Sequence, residues 1–182
     1  QELALRSLVE GTAAQTGEAF FRACVQSLAL ALEVRFVVIA EVKNDIAHTL
    51  AFWTGEGFSE NFAYDLSGTP CETVLSNNHL CSYPRGVQSL FPEDSYLVTI
   101  EAESYVGIPI VDSRGNLLGL IALLDTEPMD GDLKIESSIL EIFAARAGAE
   151  IERMRVERAL LEKDRILQMT LEAGKMGCWN WN

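Results

Sequence analysis

Residues 103–125, ESYVGIPIVDSRGNLLGLIALLD, restrict the possible folds of this chain more than any other stretch. Two apolar runs, Tyr105 to Val111 and Leu117 to Leu124, flank Asp112, Ser113, Arg114, Gly115 and Asn116. Asp, Ser, Gly and Asn are turn formers, and Gly115 takes positive φ without steric cost. Runs of Val, Ile and Leu bounded by turn residues predict an antiparallel hairpin near the centre of a sheet, covered on both faces. The second run shows little alternation and is expected to be the better buried. Gly107 and Gly119 lie inside the strands and mark bulges or close packing.

The flanking segments extend this sheet. Residues 35–42, RFVVIAEV, read as a strand and residues 49–55 as its hairpin partner, with Lys43, Asn44 and Asp45 near the turn. Residues 61–66 read as a short edge strand. Before them, Phe21, Cys24, Val25, Leu28 and Leu32 recur at the spacing of one helix face, a cover for the sheet. Thr16 is placed as its N-cap, and residues 1–10 as a short helical lead. The expected class is α+β, a layer of helices on a mainly antiparallel sheet.

Residues 68–94 change character. Two helical pieces, near residues 71–75 and 87–90, surround an extended 80–83, with Pro70 suited to a first helical turn. So long a stretch with little regular structure is commonly a lid or a binding segment, and its apolar residues argue against disorder. From Gly131 one long helix is predicted. Leu140, Phe143, Ala147, Ile151, Met154 and Leu161 form its stripe, and the part after Ile151 outruns a domain of this size. We expect it to pair with a second copy, giving a parallel homodimer through the N- and C-terminal helices. Gly174 and Gly177 are expected to stop the helix, and residues 178–182 to open a new strand.

Composition excludes several functions. The 182 residues carry a net charge of −13, which disfavours nucleic acid and anionic membrane surfaces. No apolar run approaches the ~20 residues that span a bilayer. The chain starts with Gln1 and shows no signal-peptide pattern, so it reads as a piece of a longer cytoplasmic protein. Cysteines 24, 71, 81 and 178 are irregularly spaced and read as reduced thiols. His79 with Cys71 and Cys81 supplies only three ligands at an unusual zinc spacing, so no metal is expected. No nucleophile elbow, P-loop or kinase motif is present, and no enzyme is expected.

The ordered segments EGTAAQTGEAFF, GTPCE, YPRGVQSLFPED, the hairpin pattern GxPxxDSxGxLxGxxxLxD and FAARAGAEIER together resemble GAF domains, small-molecule sensing modules of bacterial signalling proteins. The resemblance covers roughly residues 1–160, and residues 171–181 resemble the opening of a PAS domain. This implies a GAF domain with its signalling helix over residues 1–163 and a truncated PAS-like start over 164–182. It also implies a six-stranded antiparallel sheet, N- and C-terminal helices on one face, and a ligand cavity on the other. The roof of that cavity would be residues 68–94 and the segment up to Glu103. Such modules commonly sit upstream of histidine kinases or diguanylate cyclases. Bilin-binding relatives carry a Cys followed by His, whereas Cys71 precedes Glu72 and Cys81 precedes Ser82; the cyclic-nucleotide signature has no counterpart here. Bilin, haem and cyclic nucleotide are therefore disfavoured as cofactors.

Between Asn44 and Asp112 acids abound and Arg85 is the only Lys or Arg, while aromatics concentrate in the same third. Tyr64, Cys71, Tyr83, Arg85, Phe91 and Tyr105 are the expected ligand-binding residues, suited to a small, largely apolar ligand with one polar group. Cys71 and Cys81 are expected near one another at the cavity. The competing expectation is a structural dimerisation and spacer domain with no physiological ligand.

Overall fold

The computed structural model describes residues 15–130 and 134–177. The expected helical lead, the start of the long helix and residues 178–182 lie wholly or partly outside them. Helix α1 (Gly17–Leu32) is followed by strands β1 (Phe36–Lys43), β2 (Ile46–Trp53) and β3 (Ala63–Asp65). Then come α2 (Pro70–Asn77), β4 (Cys81–Tyr83), α3 (Val87–Leu90) and α4 (Ser95–Thr99). The hairpin β5 (Ser104–Val111) and β6 (Leu117–Asp125) precedes α5 (Lys134–Gly177). The six strands form one antiparallel sheet of order β3-β2-β1-β6-β5-β4.

The central strands β1 and β6 are apolar over residues 36–40 and 118–124, where both of their faces are covered. On β1, Val37 and Ile39 meet α1 and α5, while Phe36, Val38 and Ala40 face the opposite layer. Side chains of a strand alternate across the sheet, so one continuous apolar run serves two cores. The first core takes Phe21, Cys24 and Leu28 from α1 and Leu140, Phe143, Ala147 and Ile151 from α5. The second lies under α2, α3 and α4 and includes Cys71, Val74, Val87, Leu97 and Tyr105.

The turns follow local chemistry. Asn44 and Asp45 both take positive φ at the β1–β2 turn, the backbone that a two-residue hairpin requires. Gly115 has φ of 85°, and the Asp112 carboxylate accepts N–H bonds from Arg114 and Asn116, both at 2.8 Å. One residue is extra on β6: Ile110 pairs with Gly119 and Val111 with Leu117. Next to that bulge, Gly119 lies against the Ala40 carbonyl of β1.

Thr16 is extended at the start of α1, but its side chain makes no cap bond. The Glu150 carboxylate of α5 accepts the Gly17 N–H instead, so a distant acid takes the cap role. Two further contacts tie α5 to the sheet. Ser113 N–H and Oγ donate to Glu152 at 3.2 and 2.9 Å. Arg155 Nε donates to Glu41 Oε1 at 2.8 Å, and Lys43 Nζ lies 3.0 Å from Glu41 Oε2.

Burial alone would raise the Glu41 carboxyl, but hydrogen bonds and charge from Lys43 and Arg155 outweigh it and hold it below its ordinary value. The folded chain therefore favours the carboxylate. The pair's stabilisation is present above the ordinary Glu range, near pH ~4.3, and is lost as pH falls through the lowered folded value. Glu41→Gln is expected to cost about 1 kcal/mol at neutral pH, roughly 2–4 °C in melting midpoint. The loss should shrink as pH falls below the ordinary Glu range; thermal melts at neutral and acid pH check this.

Helix α5 has 44 residues, about 66 Å at ~1.5 Å per residue. Its sheet-facing stripe ends at half-buried Met154, and residues 156–172 are all exposed. The expected projection beyond Ile151 is present. Gly174 lies inside the helix rather than ending it, because the isolated glycine costs only about 1 kcal/mol against continued backbone bonding.

Candidate functional site

Between the sheet and the α2–α4 layer lies a cavity of about 430 Å³. Its floor is Val38 of β1, Phe52 of β2, Tyr105 of β5, and Ala122 and Leu124 of β6. One wall is Phe62, Tyr64 and Asp65 at β3. The roof comes from two short stretches, Ser67 with Thr69 to Cys71, and Glu93 to Leu97.

Local chemistry builds both roof pieces. Thr69 Oγ1 accepts the Glu72 N–H at 3.3 Å, and Glu72 reaches back to accept the Gly68 N–H at 2.9 Å. This is close to a reciprocal capping box, and Pro70 fills the first helical position. It fixes Cys71 at the cavity edge. Asp94 Oδ1 caps α4, accepting N–H bonds from Tyr96 at 3.1 Å and Leu97 at 3.4 Å, which sets Tyr96 over the opening.

At the inner end, two hydroxyls converge on one sulfur. Tyr105 Oη donates to Cys71 Sγ at 3.3 Å and Tyr64 Oη donates at 3.5 Å. Burial raises both tyrosine hydroxyls well above their ordinary value, with the adjacent Cys71 adding to the shift. Burial also raises the Cys71 thiol, against the lowering effect of the tyrosine hydrogen bonds. All three are neutral at physiological pH. Gly107 makes room for this cluster: a Cβ there would lie 2.4 Å from Tyr105 Oη and 2.7 Å from Val74.

The structure thus brings Tyr64, Cys71 and Tyr105 to one cavity and leaves Tyr83, Arg85 and Phe91 outside its lining. Tyr83 pairs with Tyr105 across β4–β5, with ring centroids 6.1 Å apart, and packs edge-on to Phe91 at 5.0 Å. These rings back Tyr105 rather than line the space. Arg85 is 64% exposed and its guanidinium grips Asp130, with Nε donating at 3.0 Å. The middle of residues 68–94 packs over the β4–β5 edge, so only its two ends roof the cavity. Cys81 is buried near His79, 3.6 Å from Nδ1; the tyrosine hydroxyls contact Cys71. Among the described residues, no group of three or more His, Cys, Asp or Glu is placed to hold a metal ion.

Phe52, Phe62, Tyr96, Leu97 and Asp94 were not singled out from sequence as site residues. The available signal was general: aromatics and acids concentrate in this third of the chain. Phe52, Phe62 and Tyr96 are in mutual contact, with centroids 5.6 to 6.1 Å apart. Burial raises the Asp94 carboxyl, partly countered by the Leu97 and Tyr96 N–H groups.

The architecture is a six-stranded antiparallel sheet with helices α1 and α5 on one face and a roofed cavity on the other. The family model described as GAF domain matches residues 16–151, and the chain belongs to the GAF domain family. GAF domains are common regulatory and sensory modules. Solved structures agree on the fold. The GAF domain of a phosphoenolpyruvate-protein phosphotransferase from Coxiella burnetii is 17% identical, with TM-score 0.72, covering 87% of this chain and 96% of that one. The corresponding domain from Acinetobacter is 15% identical, with TM-score 0.70 and the same coverage. A bacteriophytochrome from R. palustris is 12% identical with TM-score 0.68, covering 92% of this chain and 41% of that one. No curated protein matches the chain. No helix among the described residues is long and apolar enough to cross a membrane.

Proposed function

We propose that this chain is a non-catalytic sensory module that binds a small molecule in the cavity and passes the event through α5. The observation that carries this reading is the cavity itself. Its roughly 430 Å³ and mainly apolar, aromatic lining with a few convergent polar groups suit a small ligand. A route to the helix is available. Strand β1 places Val38 in the floor and, three residues on, Glu41 in the ion pair with Arg155 of α5. A ligand shifts that helix only by its difference in affinity between two helix arrangements. Downstream, the PAS-like start at residues 164–182 and an output domain of histidine kinase or diguanylate cyclase type are the expected recipients, in a cytoplasmic protein.

The test is a thermal-shift screen of a metabolite library. A hit is expected to bind about tenfold more weakly to Tyr96→Ala, which alters a half-exposed roof side chain. The hit should also change the α5–α5 spacing measured between spin labels. If Tyr96→Ala and Phe62→Ala both leave the ligand-induced shifts unchanged, the cavity is not the site. The exposed apolar face of α5 then makes a structural dimerisation and spacer domain the better reading.

A further inference from the structure

We propose that the cavity selects a small organic cation, an alkylated ammonium in particular, over neutral or anionic ligands; this rests on the sensory reading and names its ligand class. Three carboxylates, Asp65, Glu93 and Asp94, line the cavity, and no Lys, Arg or His does. None of the three has an ion-pair partner among the described residues. Arg85 is committed to Asp130.

Asp94 is the strongest single indication. Its Oδ1 caps α4, while Oδ2 makes no hydrogen bond among the described residues. The Asp94 carboxyl is half-buried, Asp65 and Glu93 are exposed at the cavity mouth, and Asp94 has no counter-ion among the described residues. A buried charge is costly unless paired, so a cation entering the cavity would recover interaction energy that the empty site lacks. Beside the carboxylates in the same lining, the rings of Phe52, Phe62 and Tyr96 are in mutual contact. Aromatic faces attract cations through the ring quadrupole, most strongly where water is excluded.

The same lining is poor at holding an anion. The Tyr64 and Tyr105 protons are spent on Cys71. The N-terminal end of α2, which borders the cavity, is already complemented by Thr69 and Glu72. The acids would repel a carboxylate or phosphate.

The experiment titrates the protein with choline, with its neutral isostere in which a quaternary carbon replaces the nitrogen, and with benzoate. Calorimetry gives affinities, and NMR follows the probe methyl signals. Choline is expected to bind about tenfold or more tightly than the isostere, with methyl signals moved upfield by the aromatic rings. Asp94→Asn retains a capping oxygen; it should remove most of that preference while leaving isostere binding unchanged. Tyr96→Leu should weaken choline as well. Equal binding of the isostere, tighter binding of benzoate, or no choline binding at millimolar levels overturns the cation assignment. If the isostere binds as tightly as choline, or benzoate more tightly, and Tyr96→Ala weakens that binding, the sensory reading survives while the cation assignment falls. If every probe fails, the cation assignment falls and the metabolite screen decides the sensory reading separately.

Discussion

Gly119→Ala is expected to lower the melting midpoint by roughly 6–12 °C, corresponding to about 3 kcal/mol, or to prevent folding. A Cβ at this position would lie 2.0 Å from the Ala40 carbonyl oxygen and 3.0 Å from its carbon. Both belong to the backbone of β1, so no side-chain rotation relieves the clash. The contact sits at the middle of the sheet, where β6 joins the β1–β2 half to the β5–β4 half. Separating the strands to admit a methyl group would lengthen ladder hydrogen bonds and loosen both cores together. The β5–β6 bulge lies beside Gly119, and Leu118 packs inward at 2% exposure. Gly57→Ala is the control: its Cβ would meet nothing within 4 Å, and the midpoint should hardly move. Thermal melts of both variants check this. A midpoint for Gly119→Ala within a degree or two of the parent would show that the close approach is not a constraint.

The second large effect concerns association. The protein is expected to sediment as a dimer at tens of micromolar, and the double substitution Leu160→Glu, Leu167→Glu to leave it monomeric. At ~100° per residue, Val156, Leu160, Leu167 and Leu171 fall within about 60° of one another. All four are exposed, from 58 to 69%. They lie on the opposite side of α5 from Leu140, Phe143, Ala147 and Ile151, which are buried in the domain. Four of the six residues in the sequence stripe are thus unavailable to a partner, and Met154 packs against the same core. The surface left for a second copy is the opposite face, continued toward the domain by exposed Ile142. Pairing there keeps the two domains apart, and each helix hides apolar side chains from water. Placing two carboxylates per chain in that seam should weaken association at least a hundredfold, about 2.7 kcal/mol. Met154→Glu should lower stability and leave the dimer, because its side chain meets the sheet. Sedimentation velocity distinguishes these outcomes. A monomeric parent, or a dimer untouched by the double substitution, removes the pairing. Ready oxidation of Leu160→Cys to a cross-linked dimer would support parallel alignment.

Much of the architecture was legible in the sequence because its causes are local. Hairpin β5–β6 follows from turn residues set between apolar runs, and Gly115 has the positive φ that its place demanded. Pro70 opens a helix because its fixed φ and missing N–H suit that position alone. The apolar run of β6 implied burial on both faces, and period-two alternation divides its side chains, like those of β1, between two cores. The projecting end of α5 followed from its length against the size of the domain.

Tertiary structure alone decided the composition of the site. Tyr64, Cys71 and Tyr105 meet although 7 and 34 residues separate the tyrosines from the cysteine, a meeting that depends on how the roof folds back. Tyr83 and Phe91 have the same aromatic character and the same nearness in sequence, yet register places them behind Tyr105 and not beside the cavity. Arg85 was drawn away by Asp130, 45 residues distant. Residue type establishes what a side chain can bind; which space it reaches depends on strand register and loop return, and these arise from contacts between parts of the chain that no local pattern records.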